Sequence, residues 1–318
     1  MSPGFGRRLV AAAVAATTAY CLRDALGVAA GAGTGRDATP ASAPAALRRF
    51  VGDPARWIRT NHRREPVSML EGPATAVGLL VGGVLGAPTA RGALAAVVAT
   101  AGGAVFGLVD DLTEDGATRT KGLRGHLGAL AHGELTTGGL KVLGIGASAL
   151  VAAGIATPVR AAHGARRGAA GWAFDVVTSG ALIAATANLI NLLDLRPGRA
   201  LKAAGLAAVP IALAGGGGAG LAAGVVGAVA GAVGADLAER DMLGDSGANA
   251  LGALLGTAVV LAAPQPIRLA LLAGVVRLTV ASERVSFTAV IAATPVLREL
   301  DAWGRRAVPG SRAGDRPA

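Results

Sequence analysis

Cysteine, aromatic residues and charge are all scarce in this chain. Cys21 is the single cysteine in 318 residues, which excludes a disulfide framework and any thiolate metal site. Aromatic side chains make up 3%, and the four histidines (His62, His126, His132 and His163) are scattered, so none pairs with another as a metal ligand. Charged residues reach 16% against 52% hydrophobic, with a mean hydropathy of +0.53. That balance excludes an ordinary soluble globule of this length.

What fills the chain instead is Ala, Val, Leu and 49 glycines. Small residues recur four apart, as at Gly78, Gly82 and Gly86, at Gly220 and Gly224, and at Gly227 and Gly231. This spacing lets helix backbones approach closely in a bilayer. A genome that favours Ala and Gly codons would give the same excess, so the spacing needs a structural test.

A helix needs roughly 20 apolar residues to span lipid. Ten candidates follow along the chain: 8–30, 73–89, 92–109, 139–157, 172–193, 200–216, 218–236, 246–263, 267–281 and 285–300. The fold class is therefore all-α and polytopic, with about ten transmembrane helices. Residues 1–300 read as a single integral membrane domain with no internal repeat. Residues 301–318 read as a disordered, polar, Pro/Gly/Arg-rich tail.

Ten spans put the loops 31–72, 110–138, 194–199, 237–245 and 282–284 on one side. The first carries seven arginines (Arg36, Arg48, Arg49, Arg56, Arg59, Arg63 and Arg64), and the second adds Arg119, Lys121 and Arg124. The positive-inside bias makes that side cytoplasmic, with both termini outside. Arg7-Arg8 and the Arg-rich tail dissent. A cleaved signal peptide in the first segment is the alternative, and it would leave the seven arginines outside.

Three acidic patches share this side, each where a long apolar segment meets a loop. They are Asp110-Asp111 in FGLVDDL, Asn188, Asn191 and Asp194 in ATANLINLLDL, and Asp245 in MLGDSGANALGALLG. Ionisable groups in membrane segments are costly and mark function or structural pairing. On a helix, Asn188, Asn191 and Asp194 span an arc of roughly 120°. Taken singly, the asparagines suit interhelical hydrogen bonding and Asp110-Asp111 a solvated helix end. Together, carboxylates and carboxamides without His or Cys favour a hard cation such as Mg²⁺, which shares its shell with substrate phosphates. Nearby arginines suit phosphate oxygens. Asp245 also stands at the start of a helix, where free N–H groups face anions.

These residues resemble the motifs of the polyprenyl-phosphate N-acetylhexosamine-1-phosphate transferases, which include phospho-N-acetylmuramoyl-pentapeptide transferase. The likeness spans about residues 60–260. G-x-x-D-D is present as Gly107 to Asp111. N-x-x-N-x-x-D-G is present as Asn188, Asn191 and Asp194, with Leu195 in place of Gly. M-G-D-T-G-S-x-x-L-G is present as Leu243 to Ala248 followed by Leu251 and Gly252, and K-G-L-x-G as Lys121 to Gly125. The departures are specific. Pro197 stands where the family has a second aspartate, Ser282 to Ser286 replace a histidine-rich motif, and P-T-M-G-G survives only as Pro66 to Gly72, with Glu71 inside it.

The resemblance implies transfer of a phosphosugar from a UDP-sugar to a polyprenyl phosphate in cell-envelope glycan synthesis, peptidoglycan included. It implies Mg²⁺ as cofactor, Asp245 and Asp110 as metal ligands, and Asp110, Asp111 and Asp194 as catalytic groups. Arg63, Arg64, Lys121, Asn188, Asn191, Arg196 and Arg199 are the implied substrate contacts, with Lys202 adding charge beside them. Expected partners are polyprenyl phosphate, a UDP-sugar or other anionic donor, membrane lipid and a second copy of the chain in a homodimer; no nucleic acid is expected. The location implied is the plasma (inner) membrane, multi-pass, with the active-site loops cytoplasmic. The rival class is a non-catalytic membrane scaffold of the same fold that binds lipid phosphate or an envelope partner. A transporter would carry inverted repeats and mid-span polar groups, whereas here the acids sit at span ends.

Overall fold

The computed structural model of the chain describes residues 3–32, 39–113, 137–158 and 168–306. Those residues form twelve helices and one two-stranded hairpin. In order they are α1 (Pro3–Ala29), α2 (Ala45–Val51), β1 (Ile58–Thr60), β2 (Pro66–Ser68), α3 (Glu71–Gly86), α4 (Ala90–Thr113), α5 (Thr137–Ala156), α6 (Ala169–Leu193), α7 (Arg199–Ala214), α8 (Ala219–Leu237), α9 (Gly244–Ala262), α10 (Gln265–Ser282), α11 (Phe287–Ala293) and α12 (Pro295–Ala302).

Seven helices are long and apolar enough to cross a membrane: Gly4–Ala29, Ala90–Thr113, Thr137–Ala156, Ala169–Leu193, Ala219–Leu237, Gly244–Ala262 and Gln265–Ser282. A helix satisfies its backbone hydrogen bonds internally, as lipid requires. The chain is a helical, polytopic membrane protein. The apolar helices α3 and α7 have 16 residues each and pass alongside the longer ones.

Burial separates the inside of the bundle from its rim. In α9, 78% of the most apolar 18-residue window is buried, against 0% in α10. α9 is the central post, packed by α3, α4, α6 and α8, while α10 leans on α6 from outside. The small-residue spacing has its structural counterpart in the α1–α3–α8 contacts. A Cβ on Gly82 would lie 3.0 Å from the Gly224 Cα, and Gly86 meets the Gly220 backbone even more closely. Larger side chains would separate these backbones.

One end of the bundle gathers the loops that matter. Ser68 of β2 accepts from Met242 N–H and donates its own N–H to Arg240 O, at 2.8 and 3.1 Å, which ties the hairpin to the α8–α9 connection. Asn61 holds the hairpin turn by accepting the N–H groups of Arg63 and Glu65 at 2.8 and 2.9 Å. Trp57 is buried beneath it and donates to Val51 O at 2.8 Å.

Residues 285–300 differ from the expected tenth span. They form two short helices, α11 and α12, broken at Thr294, whose φ of −104° and ψ of 110° are extended. Pro295 causes the break, because its ring disfavours helical backbone at the preceding residue. The segment returns along the end that holds the acidic patches. There Asp301 pairs with Arg199, Arg305 donates to Pro197 O, and Arg306 pairs with Glu65. Of the expected disordered tail, Asp301–Arg306 are instead docked, and residues 307–318 lie outside the described residues. The C-terminal segment thus joins the arginine-rich loops rather than the opposite end.

Candidate functional site

The centre is built where the end of α4 meets the start of α9. Gly107 lets the two backbones touch, because a Cβ there would collide with the Asp245 carbonyl. Four residues on, both carboxylate oxygens of Asp111 accept backbone N–H groups, from Asp245 at 3.0 Å and from Ser246 at 2.9 Å. A carboxylate at a helix N-terminus satisfies donors that have no intrahelical partner. Gly244, at φ +61°, makes the turn that brings them there. Asp111 thereby fixes the position of Asp245 and has its oxygens engaged.

Asp110 and Asp245 converge on one cation. The Lys141 ammonium on α5 donates to Asp110 Oδ2 at 2.8 Å and also to Asp245 Oδ2. The Lys141 side chain is 18% exposed, so this contact is largely withdrawn from solvent. Sequence reasoning missed Lys141. Its signal was present, since it is the sole charge in the helix TGGLKVLGIGASALVAAGIA, and a lone ionisable residue in an apolar span marks a site.

Lys141 also stands at the head of an apolar groove of about 280 Å³ between α5, α6, α9 and α10. Asn188 and Asn249 line it beside Lys141, and Ile145, Val276 and Val280 form its walls. Asn188 therefore belongs to the groove. Asn191 lies one turn further along α6, and its carbonyl accepts the Asp194 N–H at 3.1 Å. Asp194 caps α6, with its carboxyl near the Gly244 N–H at the start of α9. Desolvation, reinforced by Asp236, Asp245 and Asp111, pushes the Asp194 carboxyl well above the usual carboxylate range. The three sequence patches thus meet at one end of the bundle.

A second cavity, of about 220 Å³, opens beside them under the hairpin. Asp194, Arg196, His62 and Asp236 line it. Burial and the neighbouring Arg196 charge lower the His62 pKa. Asp236 is 4% exposed and accepts the Gly198 N–H at 3.1 Å. Asp236, Glu239 and Asp241 form a fourth acidic patch that sequence reasoning passed over, although three acids within six residues close the apolar run of α8.

Other expected contacts lie elsewhere. Arg199 is 5% exposed and turned away from the cavity, donating to Asp301 at 2.8 and 3.1 Å and to Thr288 at 3.0 Å. Lys202 donates to the carbonyls of Leu300, Asp301 and Trp303. Both were expected to grip an anionic donor, and both instead hold the C-terminal segment. Arg63 pairs with Glu239 at 2.9 Å. Arg64 is exposed in the hairpin turn, at φ +64°. Lys121 lies outside the described residues.

The donor chemistry suits a hard cation. Among the described residues no group of three or more His, Cys, Asp or Glu is arranged around one metal position. The Asp110 and Asp245 oxygens nevertheless point at one spot, where the Lys141 ammonium stands in for a cation. Two carboxylates completed by water and substrate phosphates make an ordinary magnesium shell. No protein-family model and no curated protein matches the chain.

Proposed function

We propose that the chain transfers a phosphosugar from a UDP-sugar to a polyprenyl phosphate at the cytoplasmic face of the plasma membrane. The observation that carries this reading is the pairing of Asp110 and Asp245 around Lys141 at the head of the apolar groove. A lipid phosphate with its chain in that groove reaches a cation and two carboxylates at once. A magnesium ion held by Asp110 and Asp245 supplies, when bound, charge neutralisation for the donor pyrophosphate.

The chain's own groups divide the remaining work. Lys141 shifts from the carboxylates to an oxygen of the lipid phosphate, which orients it for attack. That oxygen bonds to the donor β-phosphorus, the bond from this phosphorus to the bridging oxygen breaks, and UMP leaves with the bridging oxygen. Asp111 keeps Asp245 in place through the α9 N-terminus. Arg196 and Asp194, in the cavity beside the centre, contact the donor, with Arg196 facing its phosphates. The arginine-rich hairpin region sets the orientation by the positive-inside rule.

Purified chain given polyprenyl phosphate, Mg²⁺ and a panel of radiolabelled UDP-sugars should transfer label to the lipid with at least one donor. No transfer from any donor would sink the enzyme reading. For orientation, Ala46→Cys in a Cys21→Ser background should resist an impermeant thiol reagent in intact cells and react once membranes are opened. A non-catalytic scaffold is the second reading, favoured by one observation: Lys141 already pairs with both carboxylates. It requires lipid phosphate to bind without Mg²⁺.

A further inference from the structure

A cavity of about 410 Å³ lies between α1, α3 and α8, apart from the Asp110–Asp245 centre. Its lining includes Glu71, which is 1% exposed and whose two carboxyl oxygens have no hydrogen-bond partner among the described residues. Thr75, one helical turn on, lines the same cavity with an equally buried and unpartnered hydroxyl. Buried polar groups of this kind normally have partners, so the pair presents acceptors to a ligand. Burial, with the Asp236, Asp241 and Asp194 charges, raises the Glu71 carboxyl well above the usual range, and a cation seated against it offsets both effects. Arg23 does not fill that role, because its guanidinium is bonded to Asp241.

Two features fix the class of cation. A water occupies about 30 Å³ of liquid, so the cavity holds something far larger than a bare ion. The mouth of the cavity carries both signs of charge. Arg240 and Asp24 are exposed there, and neither side chain has a hydrogen bond or ion pair among the described residues. A free guanidinium is suited to phosphate. An acceptor floor and a guanidinium at the rim fit a ligand with an ammonium at one end and a phosphate beside it. Tyr20, 63% exposed on α1, borders the opening one helical turn before Arg23 and Asp24, where the apolar run of that helix is interrupted.

We propose that this cavity binds the headgroup of an aminophospholipid, with its ammonium on Glu71 and Thr75 and its phosphate on Arg240. The site is independent of the transferase reading and does not share the Asp110–Asp245 cation position. Native mass spectrometry of the delipidated full chain, reloaded in detergent, tests it with three probes: phosphatidylethanolamine, its N-acetylated form and phosphatidylglycerol. Phosphatidylethanolamine should be retained about tenfold more than the other two, the effect of one charge-assisted hydrogen bond. Glu71→Gln should abolish the preference, Arg240→Ala should weaken retention of all three lipids, and Asp245→Asn should change neither. Equal retention of the N-acetylated lipid by the wild-type chain would overturn the proposal even if Glu71→Gln fails to fold. Displacement by equimolar soluble phosphoethanolamine would overturn the lipid as source and assign the cavity to a free amino-phosphate.

Discussion

Two ionic clusters lie at the same end of this bundle and teach opposite lessons. The inner one, Lys141 with Asp110 and Asp245, stands on the ends of long apolar helices and opens onto an apolar groove. The outer one, Arg199 with Asp301 and Arg305, joins the start of α7 to a returning segment. The inner cluster shares one cation between two carboxylates, and the outer one shares one carboxylate between two cations. In the inner cluster the partners come from three helices whose packing is fixed independently, so the charge is held ready for a ligand. In the outer cluster the ion pairs are themselves what fix the segment. Similar chemistry therefore serves as a fastening in one place and, on the function proposed above, as a site in the other.

The largest break in that comparison is at Asp245. Asp245→Asn keeps the shape but removes the charge needed to hold a cation, and should lower transfer on the order of 100-fold or more. The protein should stay folded in detergent. Full activity in the radiolabel assay would make the inner cluster a fastening too.

Lys141→Met comes next, read as stability. It leaves Asp110 and Asp245 facing each other without compensation, and removing one partner of a buried pair costs about 3–5 kcal/mol. Adding Asp110→Asn should return much of that loss, since only one carboxylate then remains to be solvated. Additive losses in the double variant would show that Lys141 is not shared between the two.

Arg199→Ala should cost less, about 1–3 kcal/mol, because Asp301 keeps Arg305 as a partner. The loss should be confined to the C-terminal segment. Limited proteolysis near residue 300, with the spans left intact, is the expected outcome. Cooperative loss of the whole bundle would contradict it.

The smallest effect concerns pH. Burial alone would raise the Asp301 carboxyl, but the hydrogen bond from Arg199 and the Arg305 charge outweigh it and hold it below the usual range. A depressed carboxylate contributes stability that is complete above its unfolded pKa, about 3.9, and is lost as pH falls through the lower folded value. Docking of Asp301–Arg306 should therefore be unchanged from neutral pH down to that range and weaken below it. Release beginning near pH 6, followed by proteolysis, would point to a different group.

The sequence located nine of the helical segments, since long apolar runs have one workable backbone arrangement in lipid. It located the three acidic patches because charge at the edge of such a run is conspicuous. It misread residues 285–300 as a span, since hydropathy counts apolar residues and overlooks what Pro295 does to Thr294. It overlooked Lys141 because one lysine in 20 apolar residues signals nothing about its partners. It also grouped Arg196, Arg199 and Lys202 by proximity in sequence, whereas successive positions around a helix start face different neighbours.

What the sequence determined by itself is the set of segments that must be helical and the residues at their ends, the three acidic patches among them. Those follow from local composition. Tertiary structure alone decided that Asp110 and Asp245 share one lysine, that Asp111 serves the α9 N-terminus, and that Glu71 lines a cavity without a hydrogen-bond partner among the described residues. Each depends on which helices touch and at what height. That is set by glycine contacts such as Gly107 against the Asp245 backbone, and a small residue does not announce in sequence which helix it will meet.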